Sequence, residues 1–326
     1  MSQLRLSIAL GPYDHTRDVA TGAIPVAGVD LLPLSLPVEE IFYRFFKFRE
    51  FDIAELSFGK YVALRSQGDD SLVALPVFLS RAFRHSSIYV RSGAGLTDLA
   101  QLRGKTVGVP EWAQTASVYS RGLLAHQAGV PLTEVDWVQA GVNTPGRAEK
   151  VKLTLPTGLR YRAEPGKCLN EMLLSGEIAA AFSARPPRDL GHGIERMYPD
   201  YAIREEAYFR QTGIFPIMHV LAVRGEILKA HPWLAMNLYK AFTAAKDASI
   251  ERLSDITAAH APFAWLAEYA ARMRGLFGDD FWPYGIGPNR PTLDAFLRYA
   301  FEQGVCQRLL TPEEIFPREV QSSYKV

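Results

Sequence analysis

The chain has 326 residues, 48% of them hydrophobic and 22% charged, which provides for a sizeable core and argues against disorder. That length suits two domains better than one small one. Lys plus Arg total 36 against 35 Asp plus Glu, and the resulting +1 excludes a whole-surface nucleic-acid footprint while leaving room for a few arginines around a small anion. The stretch Met1 to Pro12 lacks the unbroken apolar segment and small-residue cleavage site of a secretory signal, so the expected address is the cytoplasm. Apolar stretches such as Leu72 to Leu79 are too short for a membrane span. Cys168 and Cys306 have no CxxC spacing, which predicts neither a disulfide framework nor a zinc site.

Leu4 to Leu10 alternates and stops at Gly11-Pro12, which predicts a strand running into a loop. Val29 to Leu36 is a second strand. Pro37 opens a helix to Glu50 with apolar positions at Ile41, Phe42, Phe45, Phe46 and Phe48. Phe51 to Phe58 is a short strand, and a helix begins near Lys60. Leu72 to Leu79 and Ser87 to Val90 are further strands. After Arg91-Ser-Gly-Ala-Gly95 the pattern restarts: Thr97-Asp98 caps a short helix and Lys105 to Val109 is a strand ending at Pro110. Thr115 to Gln127 is helical, Val135 to Gln139 extended, Lys167 to Leu174 helical, and Ile178 to Phe182 a strand.

Two βαβ runs imply mainly parallel sheets with helical crossovers, hence an α/β fold. Phe215 to Val223 is extended, and helices are expected over Glu226 to Leu253, Phe263 to Phe277 and Thr292 to Gln303. This tail packs back on the first unit, so residues 1–88 with 215–326 form one lobe and 89–214 the other, with a cleft between. Ligands of open α/β sheets bind beyond the carboxyl ends of the strands. That selects Gly11 to His15, Ser57, Ser80 to His85, Pro110 to Thr115 and Ser183 to Arg188.

Several common motifs are absent. Gly104-Lys-Thr resembles the end of a phosphate loop, but Leu99 stands where its first glycine belongs. Gly93-Ala-Gly95 and Gly191-His-Gly193 lack the third glycine of a dinucleotide fingerprint, and no serine lies in GxSxG. No two of the seven histidines stand at HxH or HxxxH spacing. No cofactor and no local metal pair is therefore expected.

Six segments carry a more specific pattern: Phe51-Asp-Ile-Ala-Glu-Leu-Ser57, Pro76 to Val90, Gly104-Lys-Thr-Val-Gly-Val-Pro-Glu111, Pro145-Gly-Arg-Ala-Glu-Lys150, Thr212 to His219, and Trp282-Pro-Tyr-Gly285 with Asn289-Arg290. Together, from near residue 50 to near residue 305, they resemble the 4,5-dihydroxyphthalate decarboxylase family. The resemblance implies a fold like that of two-lobed periplasmic solute-binding proteins of type II. It implies loss of CO2 from an aromatic dicarboxylate without a cofactor, giving 3,4-dihydroxybenzoate. The partner would be a small aromatic carboxylate, with neither nucleic acid nor membrane involved; a homo-oligomer is compatible with the apolar helical tail.

Direct loss of CO2 from an aromatic ring would leave an unstabilised aryl carbanion. A hydroxyl para to the carboxylate opens another route: electron density moves to the ipso carbon, an acid protonates it, and CO2 leaves as aromaticity returns. Histidine suits the proton transfer and arginine the carboxylates. Arg81, Arg84 and His85 place these groups together at a strand end, which reads as a dianion site with His85 as proton donor or as a solvated basic turn. His219, in apolar Ile217-Met-His-Val220, competes for the acid role, its alternative being a satisfied core histidine. Glu111 would accept a phenol proton, help hold a metal, or simply favour a helix dipole.

Arg147 and Arg185 are second-lobe candidates for carboxylate binding, or surface ion pairs. Ser57 and Thr115 stand at helix starts, where hydroxyls and amides receive anions and also cap helices. Tyr284 and Arg290 would close the cleft, or belong to a packed aromatic turn. His15 and Asp14 lie in the loop after the first strand, Asp14 in a capping position. Two rival functions follow from the same residues. One is a solute-binding protein for an organic anion; the other is a metal-assisted decarboxylase that chelates a catechol through histidine and glutamate from separate loops.

Overall fold

A computed structural model describes residues 3–322 and contains two sheets. The strands of the first half are β1 (Leu4–Leu10), β2 (Val29–Ser35), β3 (Ile53–Ser57), β4 (Leu72–Arg81), β5 (Ile88–Arg91) and β6 (Thr106–Val109). Those that follow are β7 (Asp136–Gly141), β8 (Arg160–Cys168), β9 (Ala180–Phe182), β10 (Ile194–Arg196) and β11 (Ile217–Arg224). The first sheet has the order β2-β1-β3-β11-β4 and the second β10-β5-β9-β6-β7-β8. Both are mixed and mostly parallel, with β11 running against β3 and β4, and β5 against β9 and β10.

In the first sheet the crossovers are α1 (Asp14–Ala20), α2 (Val38–Phe48) and α3 (Phe58–Ser66). All five residues of β3 are buried, as expected of a strand covered on both faces. The segment after Gly11 is not a plain loop: α1 starts at Asp14 and packs Thr16 and Val19 inward. β11 is inserted between β3 and β4, and His219 pairs with Ser57 on one side and Ser80 on the other.

The second sheet is served by α4 (Thr115–Gly122), which continues into a wider π-helical turn at Leu123–Gln127, and by α5 (Leu169–Ser175). β8 goes unread in the sequence because it is an exposed edge strand containing Pro165 and Gly166, residues that weaken a strand pattern. α6 (Tyr201–Thr212) is equally silent, since Tyr208 is the one buried residue on it and no apolar stripe marks it. The helix expected over Glu226 to Leu253 is two, α7 (Gly225–Ala230) and α8 (Trp233–Ser254). The break falls at Pro232, which cannot continue the first of them. α9 (Leu266–Phe277), α10 (Arg290–Glu302) and α11 (Pro312–Ile315) complete the chain. Among the described residues no helix is long and apolar enough to cross a membrane.

A single large hydrophobic cluster runs through both sheets, with a smaller one around Leu169 and Leu173. α10 ties the halves together. Phe296 stacks on Phe58 of α3 with ring centroids 4.6 Å apart and lies 4.8 Å from the Tyr119 ring of α4. Trp112 Nε1 donates to the Gln303 carbonyl at 2.7 Å. Phe296→Ala removes a fully buried ring at that junction and should lower stability by about 3–5 kcal/mol, measured as a shift of the urea midpoint at unchanged slope.

Candidate functional site

The carboxyl ends of β3 and β6 face each other. Ser57 Oγ lies 3.0 Å from Thr115 Oγ1, and the Gly59 amide donates to the same Thr115 oxygen at 2.9 Å. A Cβ at Gly59 would stand 2.6 Å from the Ala113 carbonyl oxygen, so only glycine permits this approach of α3 to the start of α4.

In the central strand of the first sheet a fully buried carboxylate, Glu55, gathers three donors. Its Oε1 accepts from Tyr13 Oη and from His219 Nδ1, each at 2.6 Å, and its Oε2 accepts from the Gly11 amide at 3.0 Å. The carboxylate fixes a proton on Nδ1, leaving Nε2 as the nitrogen free to meet a ligand. The imidazole is 21% exposed and meets the edge of Phe42 with ring centroids 4.8 Å apart. Burial, and then the neighbouring Glu55 charge, push the Tyr13 phenol far above its ordinary value, so it stays a donor. Neither Glu55 nor Tyr13 stands out in the sequence reading. The signal was a lone acid inside the apolar strand Ile53-Ala-Glu-Leu-Ser57, where burial on both faces leaves no solvent side for a charge.

Across the cleft, Glu111 is fully buried and collects cations. Arg147 Nε donates to it at 2.6 Å, Lys60 Nζ lies at 3.1 Å and Lys150 Nζ at 3.5 Å. Burial opposes its charge, yet Lys60, Arg147 and Lys150 together hold the carboxyl below its ordinary value. Burial in turn lowers the Lys60 ammonium despite Glu111. Glu39 at the start of α2 adds longer contacts to Arg147 at 3.7 Å and Arg185 at 3.3 Å. Four cations (Lys60, Arg147, Lys150, Arg185) thus meet two carboxylates (Glu39, Glu111), an excess of two positive charges. Beside them a cavity of about 300 Å³ is lined by Phe42, Tyr43, Phe46, Lys47, Lys60 and Lys150. A larger cavity of about 820 Å³ lies where β4 starts and β11 ends, by Arg49 and Arg224. It sits at the wrong end of the parallel strands for a ligand site of this fold.

The structure therefore brings together Ser57, Glu111, Thr115, Arg147, Arg185 and His219. It places the remaining predicted residues elsewhere. Arg81 is buried and donates to the carbonyls of Phe215 at 3.1 Å and Pro283 at 2.7 Å and to Asn289, with its guanidinium packed against Phe78, Phe215 and Trp282. Arg84 is also buried, its donors turned to Met218 Sδ at 3.2 Å and Ser87 Oγ at 3.3 Å. Desolvation lowers both arginines to about 10. His85 lies in the crossover between the sheets, 3.1 Å from Gln127 Oε1 and against the rings of Tyr198 and Tyr208, and desolvation lowers its pKa. Gln127 is at the far end of the helical segment that starts at Thr115, so a helix of about 15–18 Å separates it from the cleft. Tyr284 is buried under Phe78, and Arg290 is an exposed residue paired with Glu313. Among the described residues no three His, Cys, Asp or Glu side chains are grouped as metal ligands.

His15 lies beside this site, its ring 5.3 Å from that of Tyr13 and 5.4 Å from that of Trp282. Its Nε2 is buried without a hydrogen-bond partner, and desolvation pushes its pKa down to about 4. The unfolded chain then binds the proton that the folded chain refuses between about pH 6.5 and 4. Stability contributed by neutral His15 is present above that window and lost as pH falls through it. His15→Gln should flatten this part of the curve; equally steep loss of the urea midpoint in both proteins from pH 6.5 to 4 would refute it.

No model of a known protein family matches the chain. Among solved structures, the periplasmic aliphatic sulphonate binding protein from Escherichia coli aligns with 100% of this chain and 96% of its own, with TM-score 0.51 and 11% identity. A putative periplasmic sulfonate-binding protein from Methylobacillus flagellatus aligns with 98% of this chain and 92% of its own, with TM-score 0.51 and 12% identity. The class is thus the periplasmic-binding-protein fold, two mixed sheets with flanking helices, as the sequence motifs implied. Among curated proteins, the 4,5-dihydroxyphthalate decarboxylase of Comamonas testosteroni is 38% identical over 330 residues, covering 100% of both chains. That of Pseudomonas putida is 40% identical over 204 residues, 61% of this chain and 79% of the relative. The chain belongs to the 4,5-dihydroxyphthalate decarboxylase family.

Proposed function

We propose that this protein converts 4,5-dihydroxyphthalate to 3,4-dihydroxybenzoate and CO2 without oxidation, with His219 as the acid that protonates the ring carbon. The observation that carries the assignment is the 2.6 Å bond between His219 Nδ1 and buried Glu55 at the strand ends. In this reading residues 1–88 with 215–326 form one lobe, 89–214 the other, and the substrate lies between them. The para hydroxyl, giving its proton to water and regaining one at the end, pushes electrons toward the carbon that carries the carboxylate. His219 Nε2–H delivers a proton there, the carbon–carbon bond breaks, and its electrons restore the aromatic ring as CO2 departs. Glu55 supports the charged imidazole before transfer, and the excess cations around Glu111 hold the dianion. The family names support this substrate, and a positioned acid is more than a receptor for an organic anion needs.

The test is incubation with 4,5-dihydroxyphthalate while following CO2 and ring absorbance. Tight binding without CO2 release would leave a solute-binding protein. With turnover established, His219→Gln should lower kcat roughly 10²–10⁴-fold while KM changes little. Glu55→Gln should give a smaller loss of the same kind, and His85→Gln should leave kcat within a few fold. If His85→Gln abolishes turnover and His219→Gln does not, the acid has been misassigned.

A further inference from the structure

A vicinal dicarboxylate that loses one carboxylate keeps the other, and the two must be held differently if a symmetric substrate is to react once. The cleft supplies two unlike environments. On one side the cavity beside α2 combines the ring walls of Phe42, Tyr43 and Phe46 with the ammonium groups of Lys47, Lys60 and Lys150. Its volume of about 300 Å³ matches the small end of ligand pockets, suited to one ring. Lys60 is 7% exposed and Lys150 39%, and both lean on Glu111, whose third partner Arg147 adds a further charge. On the other side stands His219 backed by the Glu55 carboxylate, with no Lys or Arg among the described residues paired with either. Phe42 belongs to both, walling the cavity and meeting the His219 ring edge-on.

We propose that the lysine-lined cavity seats the carboxylate that stays on the ring, so that the carboxylate to be lost lies at His219. The proposal rests on the decarboxylase reading and adds the orientation of the substrate. Ammonium groups stabilise the retained carboxylate as an anion. The departing one faces a buried carboxylate and an aromatic edge, an environment that favours leaving as neutral CO2. The product, 3,4-dihydroxybenzoate, still carries a carboxylate para to a hydroxyl and is electronically fit for a second round. Held by that carboxylate in the cavity, it presents a ring C–H to His219. One CO2 is lost and the reaction stops.

Phthalate and benzoate, which lack the hydroxyls and cannot react, report the seat by calorimetry. Lys150→Met should weaken both by about 10- to 100-fold, the loss expected for a charge-assisted hydrogen bond, and should raise KM for 4,5-dihydroxyphthalate accordingly. Lys60→Met should do the same and Lys60→Arg should restore binding, with thermal melting confirming that each variant is folded. His85→Gln, away from the cleft, should bind both probes within about threefold of the unaltered protein. Wild-type affinity for phthalate in folded Lys60→Met and Lys150→Met proteins, alongside normal CO2 release, would overturn the seat alone. Lysine-dependent binding without any CO2 release would overturn the decarboxylase reading and uphold the cavity as a carboxylate seat.

Discussion

A carboxylate shut away from water is tolerated only where its oxygens meet donors, because an unpaired buried charge is among the costliest defects a fold can carry. Glu55 meets this constraint with groups from three parts of the chain: the Gly11 amide after β1, the Tyr13 hydroxyl at the mouth of α1, and His219 in β11. The exit of β1, the end of β3 and the start of β11 are therefore fixed relative to one another by one side chain. Removing Tyr13 or His219 leaves Oε1 with one donor for a buried charge, so sheet geometry and imidazole placement are not separable.

The opposite wall is built on the same principle with the charges reversed. Glu111 anchors Lys60 and Arg147, and the residue after it is braced from behind. Arg121, itself fully buried, stacks on Trp112 at 3.8 Å and donates to Gln303 Oε1 at 2.8 Å. Desolvation lowers that guanidinium to about 9, and no carboxylate among the described residues forms an ion pair with it. The cation is held by an aromatic face and neutral oxygens, which stiffens the turn that carries Glu111. A negative group on one lip and a positive cluster on the other give the cleft a direction.

Much of this was legible in the sequence, and the failures have definite causes. Strands such as Leu72 to Leu79 announce themselves by continuous apolar content, and the rule that ligands gather at strand ends selected Ser57, Glu111 and Thr115, which lie together in the structure. Arg81, Arg84 and His85 satisfied the same rule and form the densest cationic run, but proximity along the chain does not say where side chains turn. Theirs turn into the crossover, toward carbonyls, a thioether and aromatic rings. Glu55 and Lys150 stand inside motif segments and Lys60 at a helix start, with no role assigned to any of them from the sequence. Their meaning arises only when residues far apart in sequence converge, which periodicity cannot express.

The central position of β11 also bears on the order in which the molecule can be completed as it is made. Every strand of the second sheet lies between residues 88 and 196, so that sheet is available in full before β11 emerges from the ribosome. The first sheet is not, because β4 pairs with β11 alone and must wait, apolar and unpaired, until Ile217–Arg224 has been made. The strand that relieves this exposed edge is the one that brings the imidazole to Glu55. A nascent chain thus passes from aggregation-prone to closed at the same step that furnishes its acid, and a partly made chain has neither.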